Sequence, residues 1–287
     1  MHQLVEAGEL SAVIGDNEPY GEHRAGYNGV HSLTSVHCAD SLFVPGIAGL
    51  NLEHLLDGRD VADRDLYFEP RRHPMEFEQI DECTIQLHQM TTPVMKVQSL
   101  TTFTLREPYH LDIEFRVVLR EDVLTYGYLC CFWASYIHQP EDNAICFLGR
   151  RREETAGEGW LRFSTPEHND HSTVCHTAAE PELAEEMTSR ESLAFNYSDL
   201  AYTRPFYYGL RGQMVCAIML DRTQGIRFTH SPSGGGTGNP AWDFQWVIDR
   251  CEVDREYVMR ARVVYKQWEG EDEILREYER WDPLLAE

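Results

Sequence analysis

From residue 95 onward, apolar and polar side chains alternate with the period of two that marks half-buried antiparallel strands. Lys96 to Leu105 (KVQSLTTFTL) and His110 to Leu119 (HLDIEFRVVL) show it most clearly, with Glu107-Pro108-Tyr109 as the turn between them. Tyr126 to Ile137 (YGYLCCFWASYI) is almost continuously apolar, the pattern of a strand buried on both faces or lining a pocket. Further strands are expected at Ile145–Leu148, Trp160–Phe163, Met214–Leu220, Ile226–His230, Trp242–Ile248 and Tyr257–Tyr265. Gly, Pro, Asn and Asp punctuate the series and no βαβ alternation interrupts it. The pattern predicts an all-β fold, a large antiparallel β-sandwich. Two helices are expected. Pro181 to Ser192 has proline and acidic residues at its start. Glu271 to Trp281 places Ile274, Leu275, Tyr278 and Trp281 at helical spacing, giving a short C-terminal helix over 271–282. Residues 1–90 read as a loop-rich part draped over the sheet. With no internal repeat or linker, residues 1–287 are expected to form one domain.

The charge balance narrows the partners. Against 25 basic residues stand 48 acidic ones, a formal charge of -23. Such a field repels phosphate backbones and anionic lipid surfaces, so neither nucleic acid nor membrane is an expected partner. It also argues against a highly sulfated or polyuronic substrate unless a local basic pocket overrides it. Arg150, Arg151 and Arg152 form one basic run, followed at once by Glu153 and Glu154, and are expected in a solvated turn. None of the eight cysteines forms a C-x-x-C pair, and Cys130, Cys131, Cys146 and Cys216 sit in apolar runs as small hydrophobes. The N-terminus shows no signal-peptide pattern, which points to a reduced, cytoplasmic protein. There is no G-x-S-x-G elbow, P-loop or dinucleotide fingerprint, so no cofactor is expected.

The chemistry-bearing residues fall in a few segments. Phe228 to Val247 (FTHSPSGGGTGNPAWDFQWV) runs His230 into a glycine loop and returns through Trp242, Asp243 and Trp246. Indole platforms beside acid–base groups suit a sugar ring, whose C–H faces stack while its hydroxyls seek hydrogen bonds. A flexible β-connection in front of a Trp-rich core is the plain alternative. Gly21 to Gly29 displays His23, Arg24, Tyr27 and Asn28 between glycines, or forms an ordinary surface turn. In Asn51 to Asp57, strand periodicity puts Asn51, Glu53 and Leu55 on one face and His54 and Leu56 on the other, with Glu53 and Asp57 available to orient an imidazole. A helical turn there is equally compatible. Trp133 and Ser135 would share one face, Tyr136 and His138 the other. Glu167-His168-Asn169-Asp170-His171, followed by Cys175 and His176, fits no standard zinc spacing and reads as an exposed histidine-rich loop from which His168 could reach a site. No metal site is expected. Arg204 to Gly209, with Tyr207 and Tyr208, reads as an aromatic loop able to wall a groove.

The order of these pieces resembles the galactose-mutarotase-like β-supersandwich proteins, which include sugar epimerases and domains of some lyases and glycosidases. The resemblance implies an early loop supplying Arg and Asn (here Arg24 and Asn28), a mid-chain His element (Tyr136-Ile137-His138) and a late carboxylate (Asp243-Phe244-Gln245). The expectation that follows is a carbohydrate-active enzyme, a lyase, hydrolase or epimerase, with His23, Glu53, His54, His230 and Asp243 as catalytic groups. Arg24, Tyr27, Asn28, Trp133, Tyr136, His138, His168, Tyr207 and Trp242 would contact a sugar or oligosaccharide. Asp243 or Glu53 would act as base and a His or Tyr as acid. The alternative is a non-catalytic carbohydrate-binding protein, and a homo-oligomer is compatible with either. The enzyme expectation requires His54, His230 and Asp243 to share one pocket.

Overall fold

The computed structural model describes residues 1–59, 67–178 and 196–281. The fold is all-β. A three-stranded antiparallel sheet holds β1 (His2–Ala7), β2 (Leu10–Gly15) and β3 (Gly29–Ser35). The remaining strands are β4 (Asn51–Leu56), β5 (Met75–Gln79), β6 (Thr84–Gln89), β7 (Val97–Arg106), β8 (His110–Leu119), β9 (Leu129–Ala134), β10 (Ile145–Arg151), β11 (Gly159–Phe163), β12 (Thr173–His176), β13 (Tyr197–Tyr202), β14 (Phe206–Arg211), β15 (Met214–Leu220), β16 (Ile226–Ser231), β17 (Ala241–Ile248) and β18 (Glu256–Gln267). They form one large sheet in the order β4-β9-β17-β16-β12-β13-β10-β14-β15-β18-β8-β7-β6-β5, with β11 branching from β10. All its pairings are antiparallel except β12 with β13.

This sheet curls until its ends face each other. Phe115 on β8 stands edge-on to Trp133 on β9, with ring centroids 5.0 Å apart, and reaches Trp246 on β17 at 6.4 Å. Trp133 in turn stacks on Phe244. These rings join one core with Leu52, Leu55 and Phe228 and with Val5, Ala12, Ile14 and Leu33 of the small sheet. Each large side chain so buried contributes about 1.5–3 kcal/mol, which is why large apolar residues dominate the inward faces of the strands.

Residues 1–90 differ from the loop-rich expectation, since six strands and a short helix α1 (Glu69–Arg72) lie within them. The strands are short, and glycines and histidines between them mask the alternation that buries Val5, Leu10, Ala12 and Ile14. The Arg204–Gly209 segment, expected as a loop, contributes most of β14, because every side chain from Phe206 to Tyr208 is buried. Thr173–His176, expected within an exposed loop, is a strand with three of its residues buried. The helix expected at Pro181–Ser192 lies outside the described residues. The C-terminal helix α2 (Glu271–Trp281) does form, burying Ile274 and Tyr278 against Phe206, Tyr208, Val215 and Val264. Among the described residues no helix is long and apolar enough to cross a membrane.

Candidate functional site

The site begins with an irregularity in β4. Leu52 pairs with Trp133 and His54 with Phe132, so Glu53 is an extra residue, a β-bulge. Under strict alternation Glu53 would share the face of Leu55, which lies in the core. The bulge instead delivers both Glu53 and His54 to the opposite face. Glu53 Oε2 accepts a 2.6 Å hydrogen bond from the Tyr136 hydroxyl, and Oε1 accepts one of 3.0 Å from Arg71 Nη1. His54 Nε2 stands 3.7 Å from Glu53 Oε1.

Arg71 arrives from α1. Asn17 Nδ2 donates to the carbonyls of Pro70, Arg71 and His73, and Gln89 Nε2 to those of Pro70 and His73, so the carbonyls left over at the helix end are satisfied. The Glu69 carboxylate accepts from the backbone of Val94 and Met95. Held in this way, the Arg71 guanidinium lies 3.7 Å from the Tyr27 ring centroid, and its Nε donates to the Gly26 carbonyl at 2.6 Å.

Asp243 completes the group from β17, its Oδ1 accepting from Ser135 N at 2.8 Å. The protonation preferences of the group diverge. Burial drives the Asp243 carboxyl well above the usual carboxylate range, and the charge of nearby Glu53 adds to it. Burial, then Glu53, raises the Tyr136 phenol as well. His54 moves the other way, its imidazolium disfavoured by burial. Its Nδ1–H donates to the Tyr67 carbonyl at 2.6 Å, which fixes the tautomer and leaves Nε2 unprotonated. The arrangement can therefore hold a carboxylic acid and a neutral imidazole on one sheet face, either side of Glu53, a combination of groups able to give up and take a proton.

The polar face continues beyond Asp243. Register places Asp243 opposite Thr229, Thr229 opposite Thr173, and Thr173 beside Tyr197 across β17, β16, β12 and β13. The next row runs Phe132, Gln245, Arg227 and Cys175. Thr173, Thr229 and Gln245 are fully buried, an unusual density of polar side chains for a sheet face.

Several expected residues lie elsewhere. His230 pairs with Trp242, on the core side of β16 and β17, while Asp243 is on the other side. Its Nε2 donates to the Asn143 carbonyl at 2.9 Å and its Nδ1 accepts from Thr165 N at 3.1 Å, so both ring nitrogens are engaged and burial lowers its pKa to about 4. The structure thus separates His230 from His54 and Asp243, so the single pocket that the enzyme expectation required of all three does not form, and only His54 and Asp243 remain on one face for acid–base chemistry. Trp242 Nε1 donates to the same Asn143 carbonyl, and Trp133 and Tyr207 are buried in the main core, with the Tyr207 hydroxyl on the Trp242 carbonyl. A sugar cannot stack on rings so placed. His23 stacks on His31 at 3.3 Å and donates to the Tyr27 carbonyl, while Arg24 is exposed away from Glu53. Asn28 is consumed by β4, donating to the Leu52 carbonyl and accepting from Leu52 N. Half-buried His138 and exposed His168 stand outside the cluster, His168 bonding the Ser231 hydroxyl. Glu53, His54, Tyr136 and Asp243 are brought together, with Tyr27 beneath Arg71.

Arg71 was not foreseen as a site residue, and Gln245 entered only within the Asp243-Phe244-Gln245 segment, with no role of its own. Nothing in EPRR distinguishes Arg71 from Arg72, because only the docking of α1 aims it. For Gln245 a signal existed: it lies two residues from Asp243 on a strand, hence on the same face. Among the described residues, no group of His, Cys, Asp and Glu is gathered to hold a metal ion.

No family model and no curated protein matches the chain in sequence. In three dimensions it is similar to the GalM/aldose epimerase homologue from C. elegans, with a TM-score of 0.54 at 8% identity, covering 94% of this chain and 100% of that one. It is likewise similar to a protein from Synechocystis sp. PCC 6803, with a TM-score of 0.51 at 9% identity, covering 93% of this chain and 96% of that one. The fold of the chain is galactose-mutarotase-like.

Proposed function

On a galactose-mutarotase-like β-supersandwich whose polar sheet face gathers two carboxyls, an imidazole and a phenol, we propose an acid–base enzyme acting on a sugar, with ring opening and reclosure of an aldose as its reaction. The observation that carries this reading is the opposed displacement of Asp243 and His54, one pushed toward the protonated form and the other toward the neutral base, on one buried face. In the proposed step His54 Nε2 takes the proton of the anomeric hydroxyl and Asp243 gives one to the ring oxygen. The ring C–O bond breaks as the carbonyl forms, and closure on the other carbonyl face reverses both transfers. These roles exchange those expected from sequence, where a carboxylate was the base. Glu53, held by Arg71 and Tyr136, would orient the imidazole and steady its transient charge.

A non-catalytic sugar-binding role is favoured by one observation: both Glu53 oxygens and the Asn28 amide are already occupied within the protein. One experiment separates the two. Anomer interconversion of freshly dissolved aldoses is followed by NMR for the wild type, His54→Gln and Asp243→Asn, each first checked for a cooperative melt. The enzyme reading expects acceleration by the wild type that falls about 10²–10⁴-fold in either variant. Bound sugar without acceleration would establish the binding reading.

A further inference from the structure

The polar face does not end at the acid–base group. Arg227 stands on β16 between Gln245 and Cys175, and its guanidinium carbon lies 5.5 Å from the Tyr197 ring centroid. Arg152, just past the end of β10, brings its own guanidinium carbon to 5.4 Å from the same ring. Arg152 is the last member of the basic run expected in a solvated turn. Arg151 does point outward, to Asp199. Arg152 instead turns inward, and its Nε and Nη2 are buried without a hydrogen-bond partner. Each buried donor left unmade costs about 1–3 kcal/mol, more on a charged group. That cost falls away when an acceptor with several oxygens enters, and a planar guanidinium matches phosphate and carboxylate oxygens in paired fashion.

Position on the sheet supplies the second half of the argument. Arg227 is one strand across and two residues along from Asp243, about 8 Å between Cα atoms at ordinary sheet spacings. A hexose ring bearing one charged substituent fits that span. Resting on the sugar reading above, we propose that Arg152 and Arg227, flanking Tyr197, form an anion subsite that takes the phosphate or carboxylate of an acidic sugar whose ring lies over Asp243 and Gln245. The chain as a whole is strongly acidic, so this local basic pair would admit a single charged group while the surrounding field turns away polyanions.

The test is calorimetric titration of the full chain at fixed ionic strength with glucose, glucose 6-phosphate, glucuronate and inorganic phosphate, for the wild type, Arg152→Met and Arg152→Lys. At least one acidic sugar is expected to bind about tenfold or more tighter than glucose, and which one it is separates phosphate from carboxylate. Arg152→Met is expected to bring that affinity down to the level of glucose, and Arg152→Lys to recover part of it. A cooperative melt for each variant excludes simple loss of fold. Equal affinity for neutral and acidic sugars overturns the subsite and leaves the sugar reading standing. Binding of inorganic phosphate that is lost in Arg152→Met, with no sugar bound, keeps the subsite and overturns the sugar reading. Acidic-sugar affinity unchanged in Arg152→Met overturns the subsite.

Discussion

Tyr136 and Glu53 are joined by a 2.6 Å hydrogen bond between groups 83 residues apart in sequence. It ties the chain just beyond β9 to the bulge in β4 and so fixes the direction of the carboxylate. Tyr136→Phe removes the donor and leaves the acceptor buried. A loss of about 1.5–3 kcal/mol is expected, as for a hydrogen bond to a charged partner. Urea unfolding of Tyr136→Phe, Glu53→Gln and the double variant would measure it. If the two single losses add without a coupling energy, the bond is not stabilising.

His230, buried with both nitrogens engaged, is predicted to act on stability rather than chemistry. Its folded pKa is depressed to about 4 from 6.5, so its contribution is present above pH 6.5 and lost as pH falls toward 4. The Cε1 proton of His230 should titrate near pH 4 by NMR. His230→Gln should melt lower than wild type at pH 7 and show a smaller decline between pH 6.5 and 4. A ring titrating near its ordinary value would show the site to be open to water.

The contrast between His54 and His230 shows what could be read in the sequence. The alternating segment His110–Leu119 became a strand at the expected bounds because burial of one face leaves no other register, and the uniformly apolar run Met214–Leu220 did so buried on both faces. Asp243 and Glu53 were legible as candidates, since carboxylates inside apolar strands need a reason to be there. The companions of each were not. His230 looked catalytic beside a glycine loop, yet only the pairing of Thr229 with Asp243 and His230 with Trp242 decides which face each occupies. A bulge, invisible to a period of two, moved Glu53 out of the core. Arg24 was legible in its glycine-bracketed loop and Arg71 was not, because a short helix docked by Asn17 and Gln89 leaves no periodic trace.

Trp242 leans on Gly209. A methyl group there would lie 2.3–2.6 Å from three carbons of the indole six-membered ring, so the ring must shift or the strands part. Gly209→Ala is predicted to destabilise by about 1–3 kcal/mol, the usual cost of overpacking a core. Because Trp242 Nε1 shares the Asn143 carbonyl with His230, a shifted indole should also disturb the His230 resonance. Denaturant melts with tryptophan fluorescence would detect the first effect and the His230 Cε1 signal the second. An unchanged resonance with lowered stability would mean that β14 moves and the indole stays.

The C-terminal helix is clasped to the sheet through Glu277. Its two oxygens accept from the Tyr109 hydroxyl and His110 Nε2, each at 2.9 Å, where Ile274 and Tyr278 bury themselves alongside. The His110 hydrogen bond above all, then the Tyr109 bond and the charges of His110 and Lys266, outweigh burial and hold the carboxyl at about 2, below its ordinary 4.5. A depressed carboxylate contributes stability that is present above pH 4.5 and fades as pH falls toward 2. Two consequences follow from the sign. Glu277→Gln should lower stability at pH 7 by about 1–3 kcal/mol, because His110 and Tyr109 lose a charged acceptor inside the contact. The same variant should lose less than wild type between pH 5 and pH 2, since its amide does not titrate. Urea melts of both proteins at pH 7 and pH 3 would show the gap narrowing. If the two curves coincide at both pH values, Ile274 and Tyr278 hold the helix by apolar burial alone and the carboxylate is incidental to docking.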